Sequence, residues 1–305
     1  MYLGHFGLKE SPFSLTPDPD FFYNFTGHQQ ALNVLRVALE SGEGFIKITG
    51  EVGTGKTLLC RKLLASLAGN SCTAYLPNPL LSPFELHKAL AEELGLETVV
   101  GATTHDLVKQ ITGHLVRLQS EGQRAVLCID EAQAMPRESL EALRLLSNLE
   151  TEKHKLLQIV VFAQPELNAL LERSDLRQLR QRITFSYELS PLDRQGVEGY
   201  IGHRLQTAGM GGGALFSQNA LDLLYRSSRG IPRLVNVLSH KALMAAYGQG
   251  LAQVGSGQVR AACADTEDVV AASLPRVQQP FYWALAAATL VELVIVVYLL
   301  QRIVL

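Results

Sequence analysis

Hydrophobic residues in the first 190 positions follow two alternating patterns. Short, continuously apolar runs, typical of strands that a parallel sheet buries on both faces, alternate with longer segments in which apolar residues recur at helical spacing. The predicted strands are 45–49, 73–76, 125–129, 158–163 and 183–188. Helices are predicted at 28–41, 106–120 and 139–149. Two more are predicted between the first and second of these: one ends at Leu67, and the other begins at a capping box at 82–85 and runs toward Leu94. This alternation predicts an α/β fold with a mostly parallel sheet and helices on both of its faces.

The pattern changes after Ser190, where the strand signals end. Helical segments begin at Asp193, Ser217, Pro232 and Thr266, and glycine-rich loops interrupt them at 211–213 and 248–257. These segments predict a small all-α domain. Residues 6–23 are rich in aromatic residues and prolines, which predicts an irregular arm packed on the first domain. We therefore expect one domain at 1–190, with the arm included, and a helical domain at 191–275.

The segment 281–300 differs from the rest, because Glu292 is its only charged residue. A helix of this length spans roughly 30 Å, the thickness of a bilayer core. Aromatic residues lie near its ends and arginines flank it, as at membrane boundaries. We predict a single C-terminal transmembrane helix; a buried core helix is the alternative. An acid inside a membrane is costly and marks a contact with a partner, but the sequence does not assign a role to Glu292.

Charge and cysteine content narrow the class of function. The formal net charge is −2, with 18% charged residues, and it does not indicate the basic surface of a protein that grips nucleic acid. The four cysteines show no paired spacing of the kind that binds zinc. Residues 1–16 lack the apolar core of a secretory signal, so most of the chain is expected in the cytosol.

A complete phosphate-binding loop follows the first predicted strand and precedes a predicted helix. Its residues are Gly50, Glu51, Val52, Gly53, Thr54, Gly55, Lys56 and Thr57. Glycines let backbone N–H groups approach phosphate closely, and the following helix N-terminus adds partial positive charge. Lys56 would contact the β- and γ-phosphates of ATP, and the Thr57 hydroxyl would ligate Mg²⁺. The alternative to a phosphate-binding loop is a glycine-rich turn in which the Lys-Thr pair occurs by chance.

Two adjacent acids end the apolar strand 125–129. In open α/β folds nucleotides bind at the carboxyl edge of the sheet, where these carboxylates are expected. Asp130 would join Thr57 in holding Mg²⁺, and Glu131 would orient and polarise the attacking water. Beside a phosphate-binding loop, the Asp-Glu pair indicates ATP hydrolysis rather than nucleotide storage.

Six short segments, taken together, resemble one family. They are 6–13, 50–57, 129–133, 164–167, 179–183 and 230–233. The chain is similar in these segments to AAA+ ATPases of the ExeA/GspA type, which serve type II secretion, and in particular to those of MSHA pilus biogenesis. The resemblance implies an AAA+ P-loop domain, a helical lid and a membrane helix. ExeA-like proteins continue into a peptidoglycan-binding domain, and we expect none here because the sequence stops at Leu305.

The resemblance also implies roles for three more residues. Gln164 would be a sensor of the γ-phosphate or the lytic water, because an amide both donates and accepts hydrogen bonds. Arg182 would reach the nucleotide of a neighbouring subunit, with Arg177 and Arg180 as rival candidates and a solvated basic face as the alternative. Arg233 would be a second sensor that couples the nucleotide to the lid.

The implied function is a bacterial inner-membrane ATPase with a cytoplasmic ATPase domain. It would form homo-oligomers and support assembly or localisation of a type IV (MSHA-type) pilus or a type II secretion apparatus, with inner-membrane components of that apparatus as partners. Two alternatives stay open: a DNA transposition helper, against which the predicted membrane helix and the net charge count, and a membrane scaffold switched by ATP with negligible turnover.

Overall fold

The structure is a computed structural model that describes residues 2–269 apart from 17, 70, 153 and 268. The predicted transmembrane segment 281–300 lies outside the described residues, and the helix predicted from Thr266 runs beyond them. Within the described ranges, none of the helices has both the length and the apolar character needed to cross a bilayer.

Five strands form one parallel sheet. They are β1 (Phe45–Gly50), β2 (Ser71–Leu76), β3 (Arg124–Ile129), β4 (Gln158–Ala163) and β5 (Phe185–Leu189). Their order across the sheet is β2-β3-β4-β1-β5, and every neighbouring pair is parallel. The predicted parallel sheet is confirmed. Because β1 lies between β4 and β5, the loop that follows β1 leaves the carboxyl edge beside the ends of these two strands, with β3 on the far side of β4.

Twelve α-helices are found in the described ranges. They are α1 (Tyr2–His5), α2 (Thr26–Glu40), α3 (Lys56–Leu67), α4 (Pro83–Glu93), α5 (Thr104–Ser120), α6 (Arg137–Leu146), α7 (Glu166–Leu171), α8 (Arg177–Arg182), α9 (Arg194–Thr207), α10 (Gln218–Ser228), α11 (Pro232–Gly248) and α12 (Ser256–Ala264). The predicted capping box is present at α4, where Ser82 and Glu85 exchange side chain-to-backbone hydrogen bonds. The helix α12 was not predicted, because its glycine-rich surroundings were interpreted as a loop.

Side chains of the strands alternate between the two faces of the sheet and so divide its core in two. Leu127, Ile129 and Val161 pack with α4, α5 and α6 on one face. Val126 and Phe162 pack with α2 and α3 on the other. The helix that carries the phosphate-binding loop therefore rests directly on the central strands.

A third core joins the helices α9–α12 to the N-terminal arm. Phe6, Phe13 and Phe21 of the arm are buried in it. Arg204 of α9 is also buried, and its guanidinium donates hydrogen bonds to the carbonyls of Pro12 and Ser14. The arm was expected on the first domain. Phe6, Phe13 and Phe21 lie instead in the core of the helical domain, where Arg204 also holds the arm by the carbonyls of Pro12 and Ser14, whereas Phe22 stacks on His28 of α2.

Candidate nucleotide site

The loop between β1 and α3 has the conformation that a phosphate cradle requires. Gly53 and Gly55 adopt φ values of +82° and +95°, in the left-handed region that favours glycine. Thr54 is buried, and its hydroxyl donates to the carbonyl of Glu51 at 2.8 Å. The loop leads directly into the N-terminus of α3, where backbone N–H groups and the helix dipole favour an anion.

Lys56 is the first residue of α3 and its side chain is buried. The ammonium donates to the carbonyls of Gly50 at 2.7 Å and Glu51 at 3.0 Å. Burial lowers the pKa of Lys56, and the nearby carboxylates of Glu131 and Asp130 oppose that shift. The loop thus holds a cation against its own carbonyl groups, where phosphate oxygens are a stronger acceptor for the same charge.

Thr57 and Asp130 come from different motifs and meet in the structure. The Thr57 hydroxyl donates to Oδ2 of Asp130 at 2.6 Å. Asp130 is buried at the end of β3, and desolvation raises the pKa of its carboxyl, while the Thr57 hydroxyl and the Glu131 backbone N–H act in the opposite direction. A hydroxyl and a carboxylate side by side are hard oxygen ligands, which fits Mg²⁺ held together with nucleotide phosphates.

Glu131 and Gln164 also meet, at the ends of β3 and β4. The side-chain amide of Gln164 donates to Oε2 of Glu131 at 3.0 Å. Gln133 joins them, since its amide donates to the same carboxylate oxygen at 2.5 Å. Sequence reasoning assigned no role to Gln133. The only sequence signal for Gln133 was its position two residues after Glu131, within the segment 129–133. The hydrogen bond between the two side chains depends on the turn of the backbone between these residues.

A cavity of about 370 Å³ opens beside the loop. Most of its lining comes from three parts of the chain: the loop, the arm with the start of α2, and the helical domain. Arg233 lines it from α11, where its backbone N–H donates to the carbonyl of Gly53 at 3.2 Å. Glu131 lines it from the sheet edge. The predicted sensor arginine and the predicted catalytic acid therefore face one space.

His28 of α2 is a site residue that the sequence interpretation missed. Its ring is buried and lines the cavity, and Nε2 donates to the Thr54 carbonyl at 3.1 Å. Burial lowers the pKa of His28 to about 4, and the hydrogen bond to Thr54 opposes the shift. The ring stacks on Phe22, with centroids 5.4 Å apart. The neutral imidazole thus ties the arm and α2 to the phosphate-binding loop.

Comparison with known proteins agrees with this geometry. Residues 39–171 match the AAA domain family, and they contain the loop, both acids and Gln164. The chain has the α/β fold of a P-loop AAA domain. It is 42% identical to general secretion pathway protein A of Aeromonas hydrophila over 269 residues. The match covers 88% of this chain and 49% of the relative, so the chain spans about half the length of the curated relative it matches.

Solved structures share the fold of the chain at low sequence identity. Cdc6p of Pyrobaculum aerophilum superimposes with a TM-score of 0.66 and 19% identity, covering 87% of this chain and 74% of that one. Drosophila ORC bound to DNA gives a TM-score of 0.60 and 20% identity, covering 92% and 73%. Likeness at this level of identity shows the fold alone.

Three predicted arginines do not lie in the chain's own candidate site. Arg177, Arg180 and Arg182 belong to α8, are exposed and do not line the cavity. Arg182 instead lies near enough to Glu150 to affect that carboxylate. Among the described residues, no side-chain hydrogen bond or ion pair is found for these three guanidinium groups. The structure therefore brings Lys56, Thr57, Asp130, Glu131, Gln164 and Arg233 together and leaves α8 apart.

Proposed function

We propose that this chain binds ATP with Mg²⁺ in the cavity beside the loop and hydrolyses it. The observation that carries the proposal is the hydrogen bond between Thr57 and Asp130, which joins the phosphate-binding loop to the acidic end of β3. Backbone N–H groups of Gly53, Thr54 and Gly55 would cradle the phosphates together with Lys56. Thr57 and Asp130 would hold Mg²⁺, which when bound neutralises charge on the phosphate oxygens.

Hydrolysis follows from the position of Glu131. Its carboxylate would accept a proton from a water molecule as the water oxygen attacks the γ-phosphorus, and the bond to the β-phosphate oxygen would break to leave ADP and phosphate. Gln164 would hold the same carboxylate and sense the γ-phosphate. Arg233 would transmit the presence of nucleotide to the helical domain, since its backbone already contacts the loop.

Phosphate release tests the proposal. Purified full-length protein should release phosphate from ATP with Mg²⁺ and stop when EDTA is added, and Lys56→Ala should abolish both release and tight ATP binding. A matched control is Lys88→Ala, because Lys88 is half exposed on α4 and forms a surface ion pair with Glu92. Tight ATP binding by the Lys56→Ala protein would overturn the assigned site.

We also propose that the ATPase acts as a homo-oligomer in which an arginine of α8 completes a neighbour's site. The support is that all three guanidinium groups are exposed and lie away from their own cavity. Arg182 is the first candidate, with Arg177 and Arg180 as rivals. Each Arg→Ala variant would be mixed with Lys56→Ala protein. Recovery of phosphate release by one mixture identifies the arginine, and recovery by none contradicts action between subunits.

For the cellular role, we propose a single-pass inner-membrane ATPase, with its AAA domain in the cytoplasm, that serves a type II secretion apparatus or a type IV pilus of the MSHA type, as MshM-type ATPases do. The support is the likeness to general secretion pathway protein A and the apolar segment 281–300. The full chain should resist carbonate extraction from membranes, whereas a version ending at Pro275 should be extracted. Extraction of the full chain would contradict membrane insertion.

A further inference from the structure

Gln133 lies in the short turn Ala132–Ala134 that follows Glu131, and both ends of its amide are used. Its Nε2 donates to Oε2 of Glu131 at 2.5 Å, and its Oε1 accepts the backbone N–H of Gln164 at 2.9 Å. One side chain therefore connects the carboxylate at the end of β3 to the backbone that follows β4.

The two contacts determine which way the amide points. A backbone N–H can only donate and an ionised carboxylate can only accept. The oxygen of Gln133 must therefore face Gln164, and its nitrogen must face Glu131. Turning the amide around would place two donors together at one end and two acceptors together at the other, so this bridge has a single orientation.

Glu131 has an unusual backbone conformation, and hydrogen bonds hold both its backbone and its side chain. Its φ is +52°, in the left-handed region that side chains other than glycine rarely adopt. Its N–H donates to Oδ1 of Asp130 at 3.0 Å, which orders the peptide but leaves the side-chain torsions unrestrained. Gln133 and Gln164 then both donate to Oε2, which leaves Oε1 without a side-chain hydrogen bond among the described residues.

We propose that Gln133 is a positioning residue for hydrolysis, which holds Glu131 by one oxygen and ties it to the backbone of Gln164. The proposal rests on the proposed hydrolysis at this site. Both ends of the Gln133 amide are engaged, by the Glu131 carboxylate and the Gln164 backbone N–H, so it acts through Glu131 rather than through contact with nucleotide. A movement at the end of β4 would consequently move the catalytic carboxylate.

Two variants and one control test this inference in full-length protein. Gln133→Ala removes both contacts, and Gln133→Glu keeps the shape and the acceptor for the Gln164 N–H but replaces the donor with a second carboxylate. Gln123→Glu is the control, since Gln123 is exposed in the turn before β3. Phosphate release would be measured across pH 5.5–9, with ATP affinity measured in parallel.

We expect kcat to fall about 10- to 100-fold in Gln133→Ala, because a misplaced base loses most of its efficiency. The KM for ATP should stay within about twofold, and the control should match wild type. In Gln133→Glu, two adjacent carboxylates bind a shared proton more readily, so release should fail on the acidic side at a higher pH than in wild type.

The experiment distinguishes failure of the positioning role from failure of the proposed hydrolysis. If wild type turns over and both Gln133 variants keep its kcat and pH profile, the positioning role is overturned while the hydrolytic function stands. A parallel loss of ATP affinity in both variants would assign Gln133 to binding and also overturn the inference. If wild type releases no phosphate, the proposed function fails and the inference fails with it.

Discussion

Thr57 and Asp130 are joined by a 2.6 Å hydrogen bond between the Thr57 hydroxyl and Oδ2 of the carboxylate. Thr57 belongs to the first turn of α3 and Asp130 to the end of β3, so the bond connects two segments that are far apart in sequence. Because Asp130 is buried, its charge is costly unless a cation shares the site. We therefore expect the ionised carboxylate to cost stability in the nucleotide-free protein, with the nearby Lys56 ammonium offsetting part of that cost.

The first prediction concerns this conflict between stability and function. Asp130→Asn should raise the Tm of the nucleotide-free protein at pH 7, because burial raises the pKa of the carboxyl and the variant removes a buried charge. The folded state binds this proton more tightly than the unfolded state, so the gain should shrink as pH falls toward the ordinary value of 3.8. Phosphate release with Mg²⁺ should be lost.

Thermal unfolding and phosphate release check this prediction on the same samples. Asp20→Asn is the control, since Asp20 is exposed in the arm and is not among the residues lining the cavity. A lower Tm for Asp130→Asn would show that the carboxylate stabilises the fold, contrary to this account.

The second prediction concerns His28. Its pKa of about 4 lies below the ordinary 6.5, so between these values the unfolded chain binds a proton that the folded chain does not. Stability should therefore fall as pH drops from 6.5 toward 4, by roughly 3 kcal/mol from this residue. Urea unfolding at pH 7 and at pH 5 measures the slope. His28→Gln should flatten it, whereas His105→Gln, at an exposed position of α5, should not. Equal slopes in all three proteins would refute the assignment.

The third prediction concerns Gly230, which lies between α10 and α11 in the helical domain. Gly230 has φ +73°, and a Cβ there would lie 1.9 Å from the carbonyl oxygen of Leu192. Gly230→Ala should therefore destabilise the protein by about 1–3 kcal/mol more than a left-handed glycine in open space. Gly95→Ala is that control, with φ +75° and no atom within 4 Å of its added Cβ. Equal costs by urea unfolding would show that Leu192 moves aside freely.

Short stretches of sequence predicted the strands and the loop whose conformation depends on neighbouring residues. Strand β4 was predicted at its observed bounds, and the phosphate-binding loop was recognised from its residues and its strand-to-helix context. The turn that brings Gln133 onto Glu131 depends on a left-handed residue that sequence does not announce. The place of the arm depends on Arg204, nearly two hundred residues away, and so could not be read locally.

The helix α12 was missed because it also depends on contacts with distant parts of the chain. Its sequence, Ser256–Ala264, has small residues and only a weak apolar periodicity, and glycines lie at and before its start. Contact with α10 and α11 buries Val259 and Ala262 and so stabilises a helix that propensity alone does not favour.

The central claim is that Glu131 activates water for ATP hydrolysis. The most direct measurement is ATP binding and phosphate release, side by side, for full-length wild type and Glu131→Gln. The account predicts release by wild type, and in Glu131→Gln undiminished ATP binding with release lowered by at least about 100-fold. If wild type binds ATP yet never releases phosphate, at any protein concentration or with membranes added, the chain is an ATP-switched scaffold and the catalytic assignment is contradicted.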